Sequence, residues 1–288
     1  MATRIITDST SYIPKDILDE YGIKVISLSV LFGDEVYKET DVTNEFFYKK
    51  LESFGQIPTS SQPSMDEVYK LFENEVKVGN SVVGLFISSE MSGTFSTATM
   101  IKNNILEEYP DAKIELIDSK SNCMQLGFAV MEAAKAAKEG KPLNEICHIA
   151  EDNLQKSKFL FIPETLEYLR KGGRIGTAKA LLGGLLKIIP ILTVTDGSTN
   201  VLAKVRTKKK SVSHMIDLFK DDIAKYGFGD VIVHHINCED EAIELSKSLE
   251  ALVNKSVKIT PIGPVIGTHV GPGAIGFVYY TENPINKN

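Results

Sequence analysis

An α/β fold in two domains is what this sequence of 288 residues predicts, on three observations. Short apolar strands at 3–7 and 82–87 each run through a polar, hydroxyl-rich turn into a helix, the repeating unit of α/β folds. Strands and helices alternate along the chain, with no internal repeat or low-complexity segment. A new strand over 159–162 follows two successive helices without a linker, which places a domain boundary between residues 1–157 and 158–288. The length suffices for each part to bury a core.

The first strand ends in Asp8, Ser9, Thr10 and Ser11, with Pro14 ahead of a helix through Tyr21. Asp8 stands at the C-terminal end of a strand, where ligands of open α/β sheets gather, and the same residue type caps helical turns. Residues 23–32 read as a strand with Val25, Leu28 and Val30 apolar, and 44–54 as an amphipathic helix. Pro58 and Pro63 bracket Thr59, Ser60, Ser61 and Gln62, making a stiff extended loop rich in hydroxyl donors. Ser64, with Glu67 three residues on, signals a capping box for a helix over 65–78. Thr59, Ser60 and Ser61 are left without a local structural task. The continuous apolar run 82–87 has the pattern of a strand buried on both faces. It leads through Ser88, Ser89, Glu90, Met91, Ser92, Gly93 and Thr94 into a helix reaching Glu108. That turn aims backbone N–H groups and a helix dipole at an anion, or serves as ordinary capping.

A strand over 113–117 and helices over 124–139 and 143–156 follow, then the strand 159–162 and a short helix 165–171 stopped by Gly172 and Gly173, with Arg174 next. From Ala178, apolar Leu181, Leu182, Leu185 and Ile189 recur at helical spacing over a face wider than one sheet contact needs. A core helix and the wall of an apolar cavity both fit. Residues 190–195 and 200–206 form a hairpin around Asp196 and Gly197, and a helix 209–226, strand 230–236, helix 240–253 and strand 257–262 complete the run. His234 and His235 are adjacent on a strand and point to opposite faces, which argues against a shared metal. Residues 263–276 hold five of the chain's 21 glycines and two of its 11 prolines around His269. Such a loop is shaped, and it either holds the imidazole at a site or tightly joins two strands. A buried strand over 274–280 leads away from it.

Hydrophobic residues at 43% and charged residues at 24% are ordinary globular values. Residues 1–8 carry no basic segment followed by an apolar core, and the longest apolar region, 181–192, is broken by Gly183, Gly184, Lys187 and Pro190. A cytoplasmic location without stable membrane insertion is the expectation. Cys123, Cys147 and Cys238 lack any paired spacing, so they read as reduced thiols, with no disulfide and no metal expected. A net charge of −6 argues against general nucleic-acid binding. The local run Lys204, Arg206, Lys208, Lys209 and Lys210 is a solvated helix start or a docking patch for an acidic partner or phosphate.

Three stretches, in order, carry a family resemblance: Ser60, Ser61, Gln62, Pro63 and Ser64; Ser88 through Thr94; and Gly263 through Gly276. Joined by Asp8 and Ser9, Asp118 and Ser119, and the run Lys171, Gly172, Gly173, Arg174 and Ile175, they show that the chain resembles the DegV family over essentially its whole length. The resemblance implies two α/β domains with a lipid tunnel and a carboxylate site between them. It implies one bound long-chain fatty acid and no cofactor. Several members serve as the lipid-presenting subunit of fatty acid kinase, in which a separate ATP-using protein phosphorylates the carboxylate. Carried onto this chain, the carboxylate ligands are Ser60, Ser92 and His269, with helix amides near Gly93, and Thr59 competes with Ser60 for the first role. The surface toward the kinase maps onto Arg206, with Arg170, Lys171 and Arg174 as further matches. A rival of another class is a hydrolase of a lipid or small ester, with Ser92 as nucleophile, His269 as base and Asp8 or Asp118 orienting it. The Gly-X-Ser-X-Gly elbow of α/β hydrolases is absent, as is the phosphate-binding loop an autonomous kinase needs.

Overall fold

The computed structural model describes residues 2–182 and 188–285. Strand β1 (Thr3–Asp8), buried over its last four residues, is followed by α1 (Lys15–Tyr21), which ends at Gly22 with φ of 62°. The stretch 23–32 is two strands, β2 (Lys24–Ile26) and β3 (Ser29–Phe32), and they enter different sheets. The break falls at Leu28, whose N–H donates to Ser9 Oγ and whose carbonyl accepts from Glu39 N, so neither group is free for a continuous ladder. A hairpin at Gly33 (φ 63°) returns β4 (Glu35–Lys38) onto β3. Its residues are mostly exposed, so no apolar alternation marked it in the sequence.

Helix α2 (Asn44–Phe54) is capped by Thr43 and ended by Gly55. The stiff loop between Pro58 and Pro63 pairs as β5 (Thr59–Ser61) on the other edge of β3, with both prolines outside the ladder, where their missing N–H groups cost nothing. Ser64 caps α3 (Met65–Lys77) by accepting from Glu67 N, as predicted. Then come β6 (Ser81–Phe86), α4 (Thr94–Glu108), β7 (Ile114–Asp118), α5 (Cys123–Lys138) and α6 (Leu143–Lys156). The parallel sheet runs β2-β1-β6-β7. One face packs Ile6, Val82 and Phe86 on Phe72 of α3 and Ile101 of α4; the other turns Ile5, Val83 and Leu85 toward α5 and α6. Burial on both faces explains why β6 is continuously apolar.

The second half begins with β8 (Ser157–Ile162) and α7 (Glu167–Lys171). The helical spacing from Ala178 does not yield one long helix. A 3-10 turn covers Gly176–Leu181, Leu182 is extended, Leu185 lies outside the described residues, and Ile189 already belongs to β9 (Ile189–Thr195). Pairing decides this: Ile189 and Pro190 stand opposite Val205 and Lys204 of β10 (Ser198–Val205). After α8 (Lys208–Tyr226), β11 (Asp230–His235), α9 (Glu239–Val253) and β12 (Lys258–Pro261) comes α10 (Pro264–Val270), and β13 (Ile275–Tyr280) closes the fold. A six-stranded sheet of order β10-β9-β8-β13-β11-β12 results, with β11 and β12 parallel. Helices α8 and α9 cover one face, while Phe159, Phe161 and Ile232 on the other join the buried cluster that includes α5 and β1 residues.

The glycine-rich stretch 263–276 is therefore not a loop throughout. Pro264 at the first helical position starts α10 without losing a needed donor, and Gly271 at φ 84° ends it. Counting glycines and prolines found the right place and missed the helix they bracket.

Candidate functional site

Helix α10 packs on α7, β3, β5 and α2, and Val265, Ile266, His269 and Val270 face a cavity of about 250 Å³. Leu28, Ile87, Phe159, Phe161, Leu169 and Ile262 add an apolar wall. Ser60, Gln62, Ser92, Gly93 and Arg174 line it together with His269. An outer groove lined by Thr59, Lys171 and Gly172 shares Ser60, Arg174 and His269 with the cavity. Those three residues are common to the two spaces.

The sequence-predicted residues converge here from three elements. Ser60, the middle residue of β5, brings its Oγ to 2.7 Å from His269 Nε2. Thr59 is exposed and lines only the outer groove. Ser92, at the turn before α4, pairs its Oγ with Thr94 Oγ1 at 2.9 Å, and Gly93 is the residue flanking the helix start. The Gln62 side chain lies on Gly93 so closely that a Cβ there would sit 2.1 Å from Gln62 Oε1. Ser88 and Ser89 of the same turn are used structurally, on Gly197 O and Asp118.

Burial, and then the neighbouring Arg174 cation, hold the His269 imidazole down to about 4, so the ring is neutral near pH 7. Nε2 meets Ser60, while Nδ1 is buried without a partner, pressed against Gly172, where a Cβ would come within 2.3 Å. His234 also lines the cavity and is also lowered to about 4 by burial. Its bonds differ. Nδ1 lies 2.7 Å from Thr260 O and Nε2 accepts from Met124 N at 3.2 Å; a carbonyl only accepts and an amide only donates, so the tautomer is fixed.

Arg174 donates to Met91 O from Nε and Nη2, at 3.0 and 2.9 Å, and to Gly172 O from Nη1. It is exposed and lines both the cavity and the outer groove, a position beside His269 that the sequence reading did not assign to it. Arg170 on α7 and Arg206 after β10 are exposed and do not line the cavity. The basic run is not uniform, because Lys208 turns inward to Glu164, Glu241 and Gly273 O.

Asp8 is not a site residue. Fully buried, it accepts from Thr10 N, Thr10 Oγ1 and Ile87 N, and so ties two turns together. Asp118 accepts from Ser89 and Lys120 N. Neither carboxylate touches His269, and Ser92 Oγ bonds Thr94, so the arrangement expected of a hydrolase is not assembled among the described residues. No grouping of His, Cys, Asp and Glu among the described residues would hold a metal ion, and no described helix is long and apolar enough to cross a membrane. Sequence reasoning missed Glu39, whose carboxylate reaches the start of α10, and the placement of Gln62 on Gly93. Gln62 stood inside a quoted motif. Glu39 gave no signal beyond an acidic residue in a polar stretch.

Fold and site together define a mixed α/β protein built around an apolar cavity with a polar end. The chain belongs to the DegV family: the family model described as "Uncharacterised protein, DegV family" matches residues 2–282. A DegV domain-containing protein of Clostridium acetobutylicum is 54% identical over 282 residues, covering 98% of this chain and 99% of that protein. The structure of DegV, a fatty acid-binding protein from Bacillus subtilis, matches at 32% identity and a TM-score of 0.86, covering 98% of this chain and 99% of that one. A fatty acid-binding DegV family protein from Thermus thermophilus matches at 27% identity and a TM-score of 0.88, covering 98% and 100%. A stearic acid-binding protein from Eubacterium ventriosum matches at 25% identity and a TM-score of 0.88, covering 97% and 98%.

Proposed function

We propose that this chain binds one long-chain fatty acid in the cavity, with its carboxylate held by Ser60, Ser92, His269 and the amides near Gly93, and presents it to an ATP-dependent kinase partner. The observation that carries the reading is the cavity itself, which joins an apolar wall of Leu28, Ile87, Phe159, Phe161, Leu169 and Ile262 to Ser60, Ser92, His269 and Arg174. Fatty acid binding by the Bacillus and Thermus relatives supports it. Sequestering roughly fourteen methylenes at ~0.8 kcal/mol each gives a gross gain of about 11 kcal/mol, before ordering and association costs. A carboxylate taken from water needs donors, and two hydroxyls, a neutral imidazole and the nearby guanidinium answer that need.

In this reading the protein is a non-catalytic carrier that uses no cofactor and works in the cytoplasm. Its domains are residues 1–157 and 158–288, with the ligand between them. Arg206 and Arg170 face the kinase, and Arg174 lies where surface and carboxylate meet. Phosphorylation of the carboxylate to an acyl phosphate belongs to the partner. Native mass spectrometry of the purified protein, followed by organic extraction, tests the binding. One fatty acid per chain is the expected result. An apo mass that does not shift with added palmitate or oleate contradicts it.

A further inference from the structure

Glu39 is 7% exposed, in a 3-10 turn (Glu39–Asp41) between β4 and α2. Its Oε1 accepts from Val265 N at 2.8 Å and from the Tyr12 hydroxyl at 2.9 Å, and its Oε2 accepts from Ser9 Oγ at 2.5 Å. The Tyr12 hydroxyl in turn accepts from Ile266 N at 3.3 Å. Two of the amides that the first turn of a helix leaves unpaired thus find partners through one carboxylate. Gly263 makes room for it, since a Cβ there would lie 2.7 Å from Glu39 Oε1.

We propose that Glu39 is a positioning residue of the headgroup site, holding the first turn of α10 so that its last turn sets His269 against Ser60. The inference rests on the fatty acid reading above. Helix α10 has seven residues, too few to keep its place by helix propensity. Val265 and His269 are four residues apart, one turn along the same face, and both line the cavity. At the far end of the helix the side-chain ties are sparse: Thr268 Oγ1 and His269 Nδ1 are buried without partners, and Nε2 meets Ser60. The end that must be placed is therefore governed by the end that is clamped. The titratable groups facing Glu39 are Asp8, Tyr12, Tyr48 and Cys123. No cation is among them, and burial raises the Glu39 carboxyl to about 7.

The test compares affinities for palmitate and for hexadecanol, which has the same chain and no carboxylate, in the wild type and in Glu39→Leu, Glu39→Gln and Tyr12→Phe. A positioning role predicts that Glu39→Leu lowers the preference for the acid over the alcohol about tenfold, less than the loss of a direct hydrogen bond to the carboxylate. Glu39→Gln keeps an oxygen for Val265 N–H and retains the preference. Tyr12→Phe gives a smaller loss. An unchanged preference in Glu39→Leu, or equal losses for acid and alcohol, overturns the proposal. If Glu39→Leu does not fold, Tyr12→Phe decides, and an unchanged preference there overturns it equally. A wild type that fails to bind palmitate at all defeats the fatty acid reading itself and the proposal with it.

Discussion

His234 and His269 line the same cavity, are both lowered to about 4 by burial, and differ in their bonds. His234 joins the start of α5 to β12 through both ring nitrogens, whereas His269 has one nitrogen without a partner and the other on a serine hydroxyl. A satisfied histidine is a brace. One left incomplete at the polar end of a cavity is poised for something else, since an unpaired buried group is costly to keep.

The largest effects should separate the two. His234→Leu leaves Met124 N unpaired in the interior and removes the bond to Thr260 O, and denaturant unfolding should show a loss of about 3 kcal/mol. His269→Ala should cost palmitate about a hundredfold in affinity by titration, the scale of one lost hydrogen bond to a carboxylate, with stability held or raised because an unpaired nitrogen is removed. A common loss of stability in both variants would erase the distinction.

Gly172→Ala sharpens it. Its Cβ would fall 2.3 Å from His269 Nδ1, so the ring must move off Ser60, and palmitate affinity should drop about tenfold while His234 is untouched.

The pH dependence of stability carries both histidines with one sign. Each has a folded value near 4, below its ordinary 6.5, so their contribution is present above pH 6.5 and lost as pH falls toward 4. Glu39 acts the other way: raised from 4.5 to about 7, it contributes below pH 4.5 and loses that contribution as pH rises toward 7. Asp8 is raised and joins Glu39, while His235 is lowered and joins the histidines. With each pKa unit worth about 1.4 kcal/mol, stability should rise with pH between about 4.5 and 6.5. Glu39→Gln should steepen that rise in urea melts, and a flatter one would reverse the sign given to Glu39.

The smallest expected effect lies at the surface. Arg206→Glu should leave palmitate affinity within about twofold, because its side chain is outside the cavity wall, while reducing acyl phosphate formation by a kinase partner.

Much of this was legible where one residue type does one local job. Ser64 capped α3, the continuous apolar run became the buried β6, and the turn after it led into α4 as its hydroxyls required. Ser60, Ser92, Gly93 and His269, named from the sequence, line one cavity. What stayed hidden depended on long-range pairing. The split at Leu28 needed Ser9 and Glu39, and the end of the helical pattern near Ile189 needed β10. Glu39 meets Val265 across 226 positions, and nothing in its neighbours announces that contact. Arg174 is exposed as a surface cation should be, and only the fold shows that its guanidinium also reaches the Met91 and Gly172 carbonyls beside His269.

The most direct test is the carboxyl carbon signal of ¹³C-labelled palmitate, followed by NMR during titration of the wild type, Ser60→Ala, His269→Ala and His234→Gln. One bound signal per chain is predicted, displaced from free palmitate, altered by Ser60→Ala and His269→Ala and unaltered by His234→Gln. A bound signal indifferent to Ser60 and His269 would show that the carboxylate lies elsewhere and would contradict the headgroup site described for this cavity.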